Sequence, residues 1–138
     1  MHVQSYLFFN GRCEEALEFY KQTLGATIGM LMRFKEAPGD HKPAPGTEEK
    51  VMHSEFRVGD TVVMASDGMT QSKPEFKGFS LTISTKTVPE AQHLFGALSK
   101  DGQVHQPLVE TFFSPSFGML ADKFGVGWMI MAEPVAQK

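Results

Sequence analysis

One pattern of predicted elements occurs twice along the chain, and this repeat restricts the possible folds more than any other feature. Each half reads as a strand, an amphipathic helix and three further strands. A shift of 75 residues aligns matching positions: Ser5 with Ser80, Glu15-Ala16 with Glu90-Ala91, and Phe19-Tyr20 with Leu94-Phe95. The alternative is a chance likeness between two short helices. Two βαβββ modules predict an α+β fold of curled mixed sheets with the helices on the outside.

Hydrophobic spacing predicts the elements of the first module, which spans about residues 1–70. Residues 3–9 read as an apolar strand, and Asn10 is the expected cap of the helix that follows. Gly25 is placed to end that helix. Its buried stripe is predicted from helical spacing: Cys13, Ala16, Leu17, Tyr20 and Leu24. Residues 26–35 alternate as a half-buried strand, and the proline-rich segment 36–50 is predicted to be a mobile loop.

A hairpin closes the first module, because strands 51–58 and 61–67 are joined by only Gly59-Asp60. The register of a two-residue turn then assigns each side chain to a face of the sheet. The face predicted to meet the helix is apolar: Met52, Ser54, Phe56, Val58, Val63 and Ala65. The other face mixes charge and thioether: His53, Glu55, Arg57, Val62, Met64 and Ser66. Such a mixture suits a partly wet cleft, and the alternative is a face open to solvent.

The second module, about residues 75–134, begins with an alternating strand over 78–84. Thr87-Val88-Pro89-Glu90 is a capping box with proline in the first helical turn. The buried stripe of this helix is predicted to be Ala91, Leu94, Phe95 and Leu98, ending at Asp101-Gly102. Three strands are then expected over 103–113, 116–121 and 127–132. The alternation of Trp128 with Met129 predicts that Trp128 packs against the helix.

Composition excludes several classes of protein. A chain of 138 residues with 41% apolar residues fits one domain. The net charge of −3, with acids and bases interspersed, gives no footprint for nucleic acid. No apolar run approaches a membrane span, and the opening Met-His-Val-Gln-Ser is not typical of a signal peptide. With Cys13 as the only cysteine and no possible internal disulfide, we expect a cytoplasmic protein.

Six segments give the chain a resemblance to a known family. They are Tyr6-Leu7-Phe8-Phe9-Asn10-Gly11 with Glu15-Ala16 and Phe19-Tyr20, Leu24-Gly25-Ala26, Val51-Met52-His53-Ser54-Glu55-Phe56, Val63-Met64-Ala65-Ser66-Asp67, Glu110-Thr111-Phe112-Phe113, and Asp122-Lys123-Phe124-Gly125-Val126-Gly127-Trp128-Met129-Ile130. This pattern resembles the PhnB-like group of the vicinal-oxygen-chelate (glyoxalase-like) superfamily, over nearly the whole chain. Some members carry the name 3-demethylubiquinone 3-methyltransferase-like. The superfamily includes isomerases, dioxygenases, thiol transferases and drug-sequestering proteins, so the fold alone does not choose a reaction.

The resemblance also locates the usual metal positions of the superfamily. Its metalloenzymes take one His, Glu or Gln ligand from each of four strands. The matching positions here are Ser5, Met64, Ser80 and Met129. Hydroxyls and thioethers are poor ligands for the divalent ions that prefer imidazole and carboxylate. We therefore predict no metal and no cofactor. The sequence contains no glycine-rich nucleotide-binding loop after the first strand that would support the methyltransferase name.

The candidate site combines residues from both modules. We predict a ligand cleft lined by His53, Glu55, Met64, Ser66, Glu110, Phe113 and Met129. Glu55 and His53 are the candidates for catalysis, and the alternative is a polar pair that only lines the cleft. The phenylalanines after Glu110 are either walls for a flat ligand or part of the core. Cys13 is expected to be an inert core thiol.

Three function classes follow from these candidates. The first is a metal-free protein that binds a small molecule of unknown identity. The second is an enzyme that transfers protons through Glu55 or His53, and the third is a divalent-metal enzyme of glyoxalase or dioxygenase type with relocated ligands. The resemblance also implies a homodimer, because paired modules of this superfamily complete each other's sheets. No membrane or nucleic-acid partner is expected.

Overall fold

A strand, a helix and three further strands make up each half of the chain, as the repeat predicts. The computed structural model describes residues 1–39, 43–68 and 73–134. No helix within these ranges is long and apolar enough to cross a membrane. The chain divides into two units, Met1–Pro74 and Glu75–Lys138, which are described in turn.

The first unit is a four-stranded mixed sheet with one helix. Its elements are β1 (Tyr6–Phe8), α1 (Cys13–Leu24), β2 (Thr27–Arg33), β3 (Val51–Val58) and β4 (Thr61–Ser66), with a 3₁₀ turn at Phe34–Glu36. The strand order is β1-β4-β3-β2. β1 runs parallel to β4, and the other neighbours are antiparallel.

The second unit repeats this arrangement. Its elements are β5 (Leu81–Thr85), α2 (Val88–Ser99), β6 (Gln103–Val109), β7 (Phe117–Ala121) and β8 (Gly127–Ala132). The strand order is β5-β8-β7-β6, with β5 parallel to β8. Both ends of α2 lie 75 residues after those of α1, so the spacing read from the sequence matches the helices without a gap.

Sequence signals that act over a few residues correctly predicted the end of α1, the start of α2 and the turn between β3 and β4. Gly25 ends α1 with a φ of 66°, the left-handed conformation that glycine adopts without strain. At the start of α2, the backbone N–H of Glu90 donates to Thr87 Oγ1 over 3.3 Å. Val58 pairs with Thr61, which confirms the two-residue hairpin turn.

The predicted start of the first module is wrong in two respects. β1 covers only Tyr6–Phe8, because β4 pairs with it over just these residues. Asn10 does not cap α1, since the helix begins at Cys13 and has no cap from a neighbouring side chain. Asp67, which follows β4, supplies the acceptor instead: Oδ1 receives the backbone N–H groups of Gly11 and Cys13 over 2.6 and 2.9 Å.

Most of the face predicted to meet α1 is buried as expected. Ser54, Phe56, Val63 and Ala65 are buried, while Met52 departs from the prediction. β2 pairs Met32 with His53 and Arg33 with Val51, which leaves Met52 without a partner at a β-bulge. A bulge reverses the alternation of side chains, so Val51 is buried and Met52 joins the opposite face. A second bulge at Gly29 interrupts the predicted alternation of β2 in the same way.

Candidate functional site

The face of the first sheet that turns away from α1 carries four of the predicted site residues. Glu55 pairs directly with Met64, which places both on the face opposite the buried Phe56. The parallel pairing of β1 with β4 adds Tyr6 beside Met64 and Phe8 beside Ser66. We call this surface the open face of the first unit: Tyr6, Phe8, His53, Glu55, Met64 and Ser66.

A cavity of about 520 Å³ lies against this open face. The sheet side of the cavity is formed by Tyr6, Phe8, Met52, Ser66 and Gly68, and the loop side by Phe34, Ala37, Pro43, Ala44 and Thr47. The rings of Tyr6 and Phe8 stack with centroids 4.9 Å apart and planes inclined by 24°. A volume of this size is typical of sites for small organic molecules.

Hydrogen bonds of Arg33 and Phe34 hold the loop side of the cavity in place. Arg33 donates to Glu14 on α1 over 2.7 Å and to the backbone oxygen of Glu49 over 2.8 Å. The bond to Glu14 raises the pKa of the Arg33 guanidinium. The N–H of Phe34 donates to the carbonyl of Lys50 over 3.1 Å. These contacts position Phe34 and the turn around Thr47 above the sheet. Residues 40–42 of the predicted mobile loop lie outside the described residues.

A chain of polar groups runs from the cavity to solvent. The Tyr6 hydroxyl is 2.8 Å from His53 Nδ1, and His53 Nε2 is 3.5 Å from Glu55 Oε1. The His53 side chain is 25% exposed and that of Glu55 is 43% exposed. Glu55 therefore meets solvent at one end, and Tyr6 meets the cavity at the other. His53 and Glu55 therefore lie in contact, and Tyr6 extends this group to a third member.

The wall of the cavity is otherwise weakly polar. Ser66 is buried, and its Oγ accepts the backbone N–H of Gly68 over 2.9 Å. That bond leaves the hydroxyl hydrogen of Ser66 able to reach a ligand. None of the described residues that line the cavity carries a charged side chain. Against these described residues, a bound molecule would meet aromatic, aliphatic and hydroxyl groups.

The second unit contains the remaining predicted site residues, Glu110, Phe113 and Met129. Met129 pairs with Met119 and lies half-buried on the side of the sheet opposite Trp128, which is buried as predicted. The strand predicted over 103–113 is too long, because β6 ends at Val109. Glu110 is exposed in the loop that follows, and the ring of Phe113 contacts Phe117 with centroids 5.1 Å apart. A core role for these phenylalanines is wrong, since Phe112 is fully exposed and Phe113 is 41% exposed.

The residues at the superfamily metal positions do not fit a divalent metal ion. Ser5 and Met64 are neighbours through the Met64 N–H, which donates to the Ser5 carbonyl over 3.0 Å. Ser80 lies against the position of Gly127, next to β8. Hydroxyl and thioether groups are weak ligands for such an ion. Within residues 1–39, 43–68 and 73–134, no three His, Cys, Asp or Glu side chains are grouped to hold a metal.

Cys13 is a core thiol, as predicted. It is fully buried, and its Sγ lies 3.6 Å from Ser54 Oγ. Burial raises the pKa of the Cys13 thiol to about 12, so almost none of it is thiolate at neutral pH. Burial and the raised pKa both disfavour Cys13 as a nucleophile.

Sequence reasoning missed most of the cavity wall. Tyr6 and Phe8 could have been found by pairing β1 in parallel with β4, which places them beside Met64 and Ser66. The loop residues carried no such signal, because a segment without periodicity does not show which of its residues contact the sheet. Met52 was assigned to the wrong face because the bulge has no marker in the sequence.

The architecture and the known structures define the class of the protein. Two four-stranded mixed sheets, each with one helix, form the fold of the vicinal-oxygen-chelate proteins. The fold matches a glyoxylase/bleomycin resistance protein/dioxygenase domain from Frankia with a TM-score of 0.70, covering 99% of this chain and 95% of that one. Their sequences are 12% identical, so this likeness concerns the fold alone.

Sequence comparison then gives the family. Residues 1–131 match the family described as 3-demethylubiquinone-9 3-methyltransferase. Protein YjdN of Escherichia coli is 33% identical over 94% of both chains. Protein PA1353 from Pseudomonas aeruginosa is 39% identical with a TM-score of 0.86, covering 96% of this chain and 98% of that one. The PhnB protein of Bacillus cereus is 29% identical with a TM-score of 0.81, over 96% and 99%. The chain therefore belongs to this PhnB-like family.

Proposed function

We propose that the chain is a small-molecule-binding protein that works without the metal of the superfamily's metalloenzymes. Its ligand is flat, uncharged and largely apolar, and it occupies the cavity of the first unit. The observation that carries this proposal is the cavity of about 520 Å³. Stacked aromatic rings on the sheet side and Phe34 on the loop side suit a planar molecule.

The family description does not extend the proposal to methyl transfer. β1 is followed by Phe9-Asn10-Gly11-Arg12, which contains one glycine where a nucleotide-binding turn needs several. The cavity wall also lacks charged side chains among the described residues, so it offers little to a charged cofactor. The absence of a bound metal and the cytoplasmic location remain predictions, as does this binding function.

The charge of the ligand provides the first test. In equilibrium dialysis, we expect 2-naphthol to bind saturably at one site per chain. We expect 2-naphthalenesulfonate to bind at least about tenfold more weakly, because its charge would be dehydrated without a partner. Naphthalene serves as the uncharged control of the same shape. Equal or tighter binding of the sulfonate would show that the site is not the apolar cavity.

A second candidate function is supported by the contact between Tyr6, His53 and Glu55. These groups connect the cavity to solvent through separations of 2.8 and 3.5 Å, which suits a proton-transfer enzyme. In that case Glu55 exchanges protons with water, and His53 relays them to Tyr6 beside the ligand.

Deuterium exchange separates the enzyme from the binding protein. A proton-transfer enzyme is expected to accelerate exchange of the α-hydrogens of 2-indanone in heavy water, followed by proton NMR. Glu55→Gln and His53→Gln would then remove the acceleration, while Glu90→Gln on α2 would keep it. An unchanged exchange rate with the wild-type protein would leave binding as the function.

We also propose that the chain forms a homodimer. The sheet of the first unit has β1 and β2 as edge strands, and that of the second has β5 and β6. Phe112 and Phe113 are exposed in the loop after β6, where a partner surface would cover them. Sedimentation is expected to give twice the 15.3 kDa of one chain, and Phe112→Ser should weaken the association. A 15.3 kDa species at high micromolar concentration would contradict this proposal.

A further inference from the structure

The hydrogen bond between Tyr6 and His53 has a direction that the neighbouring carboxylate determines. A neutral histidine carries one ring proton, on either Nδ1 or Nε2. Glu55 Oε1 lies 3.5 Å from Nε2, so a proton there is attracted and a lone pair there is repelled. With the proton on Nε2, Nδ1 is an acceptor. At a separation of 2.8 Å from Nδ1, the Tyr6 hydroxyl is then the donor.

We propose that Tyr6 determines ligand specificity by presenting a hydrogen-bond acceptor to the cavity. Its hydroxyl hydrogen is used by His53, which leaves the lone pairs of Oη for the ligand. The cavity therefore selects planar, uncharged molecules that carry an O–H or N–H donor, such as phenols, aromatic amines or indoles. This inference rests on the proposed binding function and specifies its ligand class.

The stacking of Tyr6 on Phe8 supports this role. Ring centroids 4.9 Å apart and the bond to His53 restrain the phenol from two sides, so the direction of its oxygen is fixed before a ligand arrives. Ser66, on the same side of the cavity, can complement Tyr6 by donating to an acceptor of the ligand.

A pair of matched probes tests the selection for a donor. At about pH 7.5, 2-naphthol is expected to bind about fivefold more tightly than 2-methoxynaphthalene, the effect of one neutral hydrogen bond. Tyr6→Phe should remove this preference, so that 2-naphthol no longer binds more tightly than 2-methoxynaphthalene. Tyr20→Phe, which alters the other tyrosine outside the cavity wall, should keep the preference. Equal affinities of the two probes for the wild-type protein would overturn the proposal.

The tautomer of His53 is measured independently in the free protein. Two-dimensional ¹⁵N NMR of the imidazole rings, assigned with His53→Gln, is expected to show the proton on Nε2. A proton on Nδ1 would overturn the proposal, because Tyr6 would then accept from His53 and donate to the ligand. If neither naphthalene probe binds, the proposed binding function fails, and the NMR result still decides the direction of the Tyr6 hydrogen bond.

Discussion

Replacing Asp67 by alanine is expected to lower the free energy of unfolding by about 3–5 kcal/mol. Asp67 is only 4% exposed, and its carboxylate accepts three backbone N–H groups. Oδ1 receives Gly11 and Cys13 at the start of α1, and Oδ2 receives Val51 over 2.8 Å. Alanine would leave all three donors without this acceptor, and those of Cys13 and Val51 are buried. A loss of this size is a large part of the stability of a small protein.

Urea denaturation with matched variants measures this effect. Asp67→Asn keeps one acceptor oxygen and should fall between the wild type and Asp67→Ala. Asp60→Ala removes an exposed carboxylate in the hairpin turn and is expected to change stability by less than about 0.5 kcal/mol. If Asp67→Ala lost under about 1 kcal/mol, Asp67 would not be the residue that joins the start of α1 to β3.

The second large effect is expected at the cavity wall. Ala37 lies on the loop side, and tryptophan there would place an indole ring in the space that the ligand needs. The probe would lose the burial of an aromatic group, about 2 kcal/mol or more, so Ala37→Trp should weaken 2-naphthol binding at least about thirtyfold.

Ala97→Trp on α2 is the matched control for this change. Ala97 is half-buried and lies outside the cavity wall, so its replacement should leave 2-naphthol binding within about twofold of wild type. Circular dichroism of both variants would show that the fold is retained. Undiminished binding by folded Ala37→Trp would contradict the location of the ligand in this cavity.

Sequence patterns predicted the elements whose signals are local. The capping box at Thr87, the left-handed Gly25 and the two-residue turn after Val58 each depend on residues close in sequence. Their geometry is set by short-range sterics and hydrogen bonds, which a single sequence records directly. The start of α1 shows the limit of such local signals. The acceptor there is Asp67 and not the predicted Asn10, and Asp67 is 54 residues from Cys13.

The sequence predicted which side chains share the open face only where strand alternation determined it. His53, Glu55, Met64 and Ser66 share a face because the hairpin register decides it. Tyr6 required the parallel pairing of β1 with β4, a contact between distant segments that no periodicity encodes. The position of Met52 in the cavity wall depends on a bulge. The position of the loop side depends on tertiary contacts of Phe34 and Arg33. The residues that shape the cavity thus depend on long-range pairing.

The methyl group of Met52 gives the most direct test of ligand binding in the first unit. The chain has nine methionines, and Met52 lies in the cavity wall. With ¹³C-labelled methionine methyl groups assigned by Met52→Leu, titration with 2-naphthol should move the Met52 signal by the ring current of the probe. The shift should saturate with the same Kd as equilibrium dialysis. A stationary Met52 signal at probe saturation would place the ligand elsewhere and contradict the proposed function.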